Sequence, residues 1–289
     1  MPSFDDAAAY ERFMGRWSRL LAPAFLAFAR PGGAGSALDV GCGTGALAEL
    51  LAERVPGCRI TGIDLSGNLI AACRARFPAR GFRFECADAA ALPFADGAFD
   101  ATLSMLVLML LDDPHRAAAE MTRVTRPGGT VAACTWDADH MALINVVWDE
   151  VRALDPDAPW QSGRTHCARP GALEALWTAV GLLDVRESAI DLTLRFASFE
   201  DFWAPLAAGV GPAGAYVARA REPVRSALQT RLRRRLGTGD GERGFALPAR
   251  ALAVRGTAAP RSATTAPRTC TSPDRPASPP ARRPVRARS

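Results

Sequence analysis

Leu38-Asp39-Val40-Gly41-Cys42-Gly43-Thr44-Gly45 is the stretch on which the fold turns. A short apolar run at 37–40 is broken by glycines at 41, 43 and 45. A strong helix former, 46–55, follows until Pro56-Gly57 stops it. A buried strand that runs into a tight glycine turn and opens a helix is the first half of a strand–helix–strand unit. The glycines permit positive φ and let a ligand approach bare backbone, and the helix start offers free N–H groups. Such a turn also serves dinucleotides, but the spacing here is G-x-G-x-G rather than G-x-G-x-x-G, which leans away from a pyrophosphate.

Outward from this loop the alternation continues. Residues 59–63 read as a strand, 66–77 as a helix, and 82–86 and 98–108 as strands. A helix at 113–124 takes Asp112 or Asp113 as N-cap with Pro114 near its first position. Arg126-Pro127-Gly128-Gly129 is a turn, and 130–136 is a fifth strand. Upstream, Tyr10, Phe13, Met14, Trp17, Leu20, Leu21 and Phe25 give 6–30 the apolar spacing of a helix. Downstream the pattern predicts helices at 143–153, 171–180, 199–206 and 221–236, with strands at 183–196 and 245–255. The expectation is an α/β fold: a doubly wound, seven-stranded, mostly parallel sheet with helices on both faces.

The charge needs dividing before it is read. All 35 basic residues are arginine, and the formal net charge is +5. Residues 258–289 alone hold seven arginines against one aspartate, which leaves 1–257 at −1. That nearly neutral body gives no sign of a nucleic-acid-binding face. The 258–289 segment carries seven prolines, no aromatic residue and one β-branched aliphatic, so a disordered Pro/Arg-rich tail is expected. Without lysine, Schiff-base chemistry and the lysine-dependent phosphate loop are excluded. Seven cysteines without a CxxC spacing, beside three histidines, spell neither a disulfide framework nor a zinc site, so no metal is expected. The longest apolar run, Leu103 to Leu111, is far below the roughly 20 residues of a membrane helix. The acidic start without an apolar h-region argues against a signal peptide. A cytoplasmic protein with no membrane insertion is the expectation.

Two carboxylates complete the reading of the loop. Asp64 ends the second strand, 19 residues after Gly45, where an acidic side chain can accept from both hydroxyls of a ribose. Asp88 follows the third strand, where it can accept from an adenine amino group. With no cation in the glycine loop, the pocket suits a nucleoside that carries no phosphate.

At this point the chain resembles a known family. LDVGCGTG at 38–45, GIDLS at 62–66, ADAAALPFADGAFD at 87–100 and EMTRVTRPGGTV at 120–131 match, in order and spacing, the class I S-adenosylmethionine-dependent methyltransferases. The branch it resembles is the ubiquinone/menaquinone C-methyltransferase-like group (the methyltransferase type 11 domain). YERFMGRWSRLLAPAF at 10–25 and RFASFEDFWAPL at 195–206 resemble a bacterial branch known only as methyltransferases. The resemblance covers about residues 8–256. It implies a Rossmann-like domain over 1–257: an N-terminal helix at 6–30, a cofactor-binding core at 36–137, a helical lid or acceptor region at 138–236 and a final strand at 244–256.

It also implies S-adenosylmethionine as cofactor, with Asp39, Gly41, Cys42, Gly43, Thr44 and Gly45 lining its methionine and sulfonium end. Asp64 would hold the ribose, Leu65 would pack on the adenine, and Asp88 with Ala89 would mark its edge. Ser104 and Met105 would sit beside the transferable methyl. Tyr10 and Arg16 would close over the site, with Arg16 on the cofactor carboxylate. The family often carries a histidine pair after the fourth strand, where this chain has Leu108 and Met109.

The implied reaction is methyl transfer to a small-molecule acceptor, of aromatic, quinone-like or otherwise lipophilic character. The alternatives are a non-catalytic S-adenosylmethionine-binding accessory protein and a nicotinamide-dependent oxidoreductase. No residue claims the role of general base. His115 reads as exposed in a first helical turn and His166 as a surface residue. His140, after the fifth strand, either reaches the acceptor or is a plain loop residue.

Overall fold

Seven strands form one sheet in the order β3-β2-β1-β4-β5-β7-β6 in a computed structural model that describes residues 7–158, 167–238 and 244–260. The strands are β1 Ser36–Val40, β2 Arg59–Asp64, β3 Arg83–Cys86, β4 Phe99–Met105, β5 Thr125–Met141, β6 Leu183–Phe196 and β7 Phe245–Thr257. The first five run parallel, while β7 is antiparallel to both of its neighbours, β5 and β6. The order departs in opposite directions from β1, toward β2 on one side and β4 on the other. A crevice therefore opens beyond the carboxyl ends of β1 and β4, the place where open α/β sheets bind ligands. The glycine loop leaves β1 at that crevice.

Helices cover both faces, as the unbroken burial of β1 requires. On one face lie α2 (Arg16–Ala29), α3 (Ala46–Arg54), α4 (Gly67–Arg76) and α6 (Ala142–Leu154), packed through Leu21, Phe25, Leu47, Leu51, Ile70 and Val147. On the other, α5 (Pro114–Val124) and α7 (Ala172–Ala179) pack Met121, Leu173 and Trp177 on Leu38, Val131 and Val254. Asp113 is the N-cap of α5 and accepts from Arg116 N at 2.9 Å, with Pro114 at the first helical position. Ser66 caps α4 by accepting from Leu69 N.

Four elements differ from expectation. The N-terminal helix is not continuous: α1 (Ala7–Tyr10) passes through a π-helical turn, Glu11–Gly15, before α2 begins. Such turns concentrate at functional sites. The strand expected to reach 108 ends at Met105, because Leu106 adopts φ +66° and leads into a 3₁₀ turn at Leu108–Leu110. An additional helix, α9 (Gly211–Arg219), lies between α8 (Phe199–Ala207) and α10 (Glu222–Arg235). Its alanines and glycines gave it no apolar periodicity to read. Finally, 138–236 is not one lid. Trp148 and Trp177 are buried in the two cores and β6 belongs to the sheet, so only α8–α10 interrupt the β6–β7 hairpin. Trp160 and His166 lie outside the described residues.

Ala258, expected to open the tail, is buried and donates to Gly129 O at 2.9 Å while its own carbonyl accepts from Gly128 N at 2.8 Å. The edge of the body therefore includes it. Residues 261–289 lie outside the described residues. Among the described residues, no helix is long and apolar enough to cross a membrane, and no group of His, Cys, Asp and Glu is placed to hold a metal ion.

Candidate cofactor site

The loop after β1 is held by backbone on one side and by carboxylates on the other. Gly41 N and Cys42 N both donate to Ile63 O at 2.8 Å, which ties the turn to β2. Gly43, at φ +54°, donates its N–H to Asp64 Oδ2 at 3.0 Å, and Asp64 Oδ1 accepts from Ser66 N at 2.9 Å. Burial pushes the Asp64 carboxyl above its ordinary range, and the N–H groups of Ser66, Gly43 and Leu65 oppose that rise.

Asp39 is the group under most tension. It is fully buried at the end of β1 and accepts from Ala48 N, which caps the first turn of α3. Its second oxygen, Oδ2, is buried with no hydrogen-bond partner. Burial first, and the nearby Asp64 second, push this carboxyl up to about 7. A buried carboxylate oxygen without a donor is costly, and a cationic N–H donor would relieve it.

The sign of the resulting pH dependence follows from the raised pKa. The folded chain keeps the Asp39 proton up to about pH 7, while the unfolded chain releases it near pH 4. Between those values the folded state binds more protons, so stability falls as pH rises, and the loss is complete above 7. Asn at this position can still cap α3 and carries no charge. Asp39→Asn is therefore expected to raise the unfolding midpoint of the ligand-free protein at pH 8 and to leave it near wild type at pH 4. Equal differences at both pH values would refute this account.

The N-terminal segment forms the wall over the loop. A Cβ on Gly43 would stand 2.5 Å from the Tyr10 hydroxyl oxygen, so that phenol lies directly on the glycine. Tyr10 bonds Ser18, and its own hydroxyl is held far above its ordinary pKa by burial and by Asp64. Next to it, Glu11 accepts from Thr44 Oγ1 and pairs with Arg19. From below, Cys73 Sγ donates to Gly43 O at 3.1 Å and Arg76 to Thr44 O at 3.1 Å.

Thus Asp39, Gly41, Cys42, Gly43, Thr44, Gly45, Asp64 and Tyr10 meet around one loop. Leu65 and Asp88 stand exposed on its rim, at the ends of β2 and β3, where Asp88 Oδ1 accepts from Ala90 N at 2.8 Å and Ala89 is buried.

One expected residue is placed elsewhere, and another has its hydroxyl consumed in place. Arg16 bonds Asp201 Oδ1 at 2.7 Å, with its guanidinium against the rings of Trp17 and Phe196. Six residues of helix, about 9 Å, carry it away from Tyr10 and onto α8. Ser104 is fully buried and donates to Val40 O at 3.0 Å, so its hydroxyl is spent between strands. Met105 is buried beside it. Val107 takes the facing position instead, since a Cβ on Gly41 would collide with its side chain. Neither Val107 nor Glu11 was singled out, because nothing in their spacing marks them.

The comparisons agree with this architecture. Residues 38–133 match the family model described as a methyltransferase domain. A malonyl-[acyl-carrier protein] O-methyltransferase from Enterobacter lignolyticus is 31% identical over 193 residues, which is 66% of this chain and 71% of that protein. The chain belongs to the S-adenosylmethionine-dependent methyltransferase family. A demethylmenaquinone methyltransferase from Thermus thermophilus is 45% identical over 113 residues, 38% of this chain and 51% of its own. The chain spans about half the length of several curated methyltransferases it matches, between 45% and 62%. Among solved structures, a Haemonchus contortus phosphoethanolamine N-methyltransferase 2 in complex with S-adenosyl-L-methionine superposes with a TM-score of 0.54. It shares 17% identity and covers 88% of this chain and 57% of that one, a likeness of fold.

The site fits the cofactor of this methyltransferase family. S-adenosylmethionine carries an α-ammonium group, and the unpartnered Asp39 Oδ2 is a buried oxygen that such a donor would satisfy.

Proposed function

We propose that this chain transfers the methyl group of S-adenosylmethionine to a small-molecule acceptor. The observation that carries the reading is the orphaned Asp39 oxygen beside a positive-φ glycine loop at the crevice of the sheet. In this reading Asp39 takes the ammonium, the loop 41–45 takes the methionine end, and Asp64 takes the ribose hydroxyls. Leu65 and the Asp88–Ala89 edge take the adenine, with Tyr10 closing the wall. When bound, the cofactor supplies a methyl already activated by a positive sulfur. What remains for the protein is alignment and exclusion of water. Tyr10, Glu11 and Val107 do the second by covering the loop.

The relative named for demethylmenaquinone supports a small organic acceptor, while the one named for malonyl-[acyl-carrier protein] acts on a carrier-borne group.

Titration calorimetry with S-adenosylmethionine and its demethylated product tests the cofactor. Wild type is expected to bind both with a dissociation constant on the order of micromolar. Asp64→Ala removes a charged acceptor and the clamp on Gly43 N, and should weaken binding by roughly 1.5–3 kcal/mol, about 10- to 150-fold. Unchanged titration curves would sink the assignment. Binding without turnover against any acceptor would leave a non-catalytic accessory role.

A further inference from the structure

We propose that α4 sets the polarity of the glycine loop, with Arg76 and Cys73 as positioning residues for the amino-acid end of S-adenosylmethionine; this deepens the cofactor reading and rests on it. The two side chains stand three positions apart, so they share one face of α4. From that face they reach two successive carbonyls. Cys73 Sγ donates to Gly43 O at 3.1 Å, and Arg76 Nη1 donates to Thr44 O at 3.1 Å. Phe77, one residue on, stands 2.6 Å from the Cβ position of Gly45. The turn 43–45 thus rests on the end of a single helix.

The Arg76 head is fixed on its other sides. Nη2 donates to Glu49 Oε2 of α3 at 2.6 Å, and the guanidinium lies 4.9 Å from the centroid of the Phe77 ring. A planar cation with fixed neighbours loses little freedom in holding a carbonyl. Cys73 is fully buried, so its thiol approaches Gly43 from the core side. On the opposite side of the loop stand the Tyr10 hydroxyl, against Gly43, and Glu11, which accepts from the Thr44 hydroxyl. Thr44 therefore points its side chain at the N-terminal segment and its carbonyl at α4.

Helix α4 also begins at the site. Ser66, its cap, donates its N–H to Asp64 Oδ1 at 2.9 Å, while Asp64 Oδ2 accepts from Gly43 N at 3.0 Å. Both backbone groups of Gly43 are thereby held, the N–H by the carboxylate that precedes α4 and the C=O by a thiol near its end. The chemistry of the cofactor gives this a purpose. Its amino-acid end carries a carboxylate beside the ammonium. A loop carbonyl turned into the pocket would set a second acceptor against that carboxylate, with no proton to share. Gly43 and Gly45, at φ +54° and +84°, have no side chains to fix the peptide planes between them. The loop by itself can turn those planes over; Cys73 and Arg76 keep both oxygens on the α4 side.

Calorimetry on the full chain with two nucleosides tests this. S-adenosylhomocysteine carries the amino-acid end, and 5′-methylthioadenosine has the same adenosine and thioether without it. R76A is expected to bind S-adenosylhomocysteine about tenfold more weakly, because a charge-assisted hydrogen bond is lost, and 5′-methylthioadenosine as wild type does. R76K, which keeps a donor for Thr44 O, should recover most of the loss. C73A should show the same selective loss at smaller size, and C73S, which keeps a donor, should reverse it. A merely structural role would lower the melting temperature and weaken both nucleosides together. If R76A binds S-adenosylhomocysteine as wild type does, or loses both nucleosides equally, the proposal is overturned while the cofactor reading stands. A wild type that binds neither nucleoside overturns the cofactor reading, and this proposal with it.

Discussion

Gly43→Val is expected to abolish S-adenosylmethionine binding, with affinity reduced by well over 100-fold. Two costs combine at this position. The backbone sits at φ +54°, a region that costs a β-branched residue roughly 1–3 kcal/mol. The added carbons would also drive into the Tyr10 hydroxyl, 2.5 Å from the Cβ position, and displace the wall of the site. Gly57→Val separates the two effects. Gly57 has φ +80°, but nothing lies within 4 Å of its Cβ position, so it bears the backbone cost alone. Gly57→Val should therefore lose stability and keep its affinity. Calorimetry on both variants decides the point. Loss of binding in both, or retention in both, would show that the geometry at Gly43 is not what binding requires.

Trp177→Ala should produce the largest loss of stability, about 3–5 kcal/mol. The side chain is fully buried, and its indole N–H donates to Val131 O at 3.0 Å. It clips α7 onto the middle of β5 and against Gly256 of β7, where a Cβ would come within 3.1 Å of the indole. Removing it leaves a large cavity and takes a donor from a buried carbonyl. Against a typical domain stability of about 5–15 kcal/mol, that is a major fraction. Denaturant titration should show the midpoint falling, with Trp177→Phe losing less, while the folded fraction keeps its cofactor affinity. A loss below about 1.5 kcal/mol would mean that the helix repacks.

How far these features could be read in advance differs by residue. Asp39, the glycines and Asp64 are separated by short, regular elements, so counting along the strand–helix alternation already put them at neighbouring strand ends. Asp113 was legible as a cap because its chemistry is local: the acceptor and the N–H it satisfies are three residues apart. The pairing of Arg16 was not legible, for the opposite reason. Its partner, Asp201, is 185 positions away, and a guanidinium between two aromatic rings has no signature in sequence. His140 was left open between two readings. Its ring bonds Asp137 Oδ2 at 2.9 Å, only three residues away, but the groove it lines shares no residue with the glycine loop and depends on β6, β7 and α10.

The sequence by itself determined the α/β alternation, the sharp glycine turn and the family, because periodicity, glycine spacing and motif order are written along the chain. Only the tertiary structure decided which polar atoms are left without partners and which are consumed. Asp39 Oδ2 is orphaned, Ser104 is spent on Val40 and Arg16 is held by Asp201. Those outcomes depend on which surfaces exclude water together, and burial is a property of the packed elements that no local stretch of residues encodes.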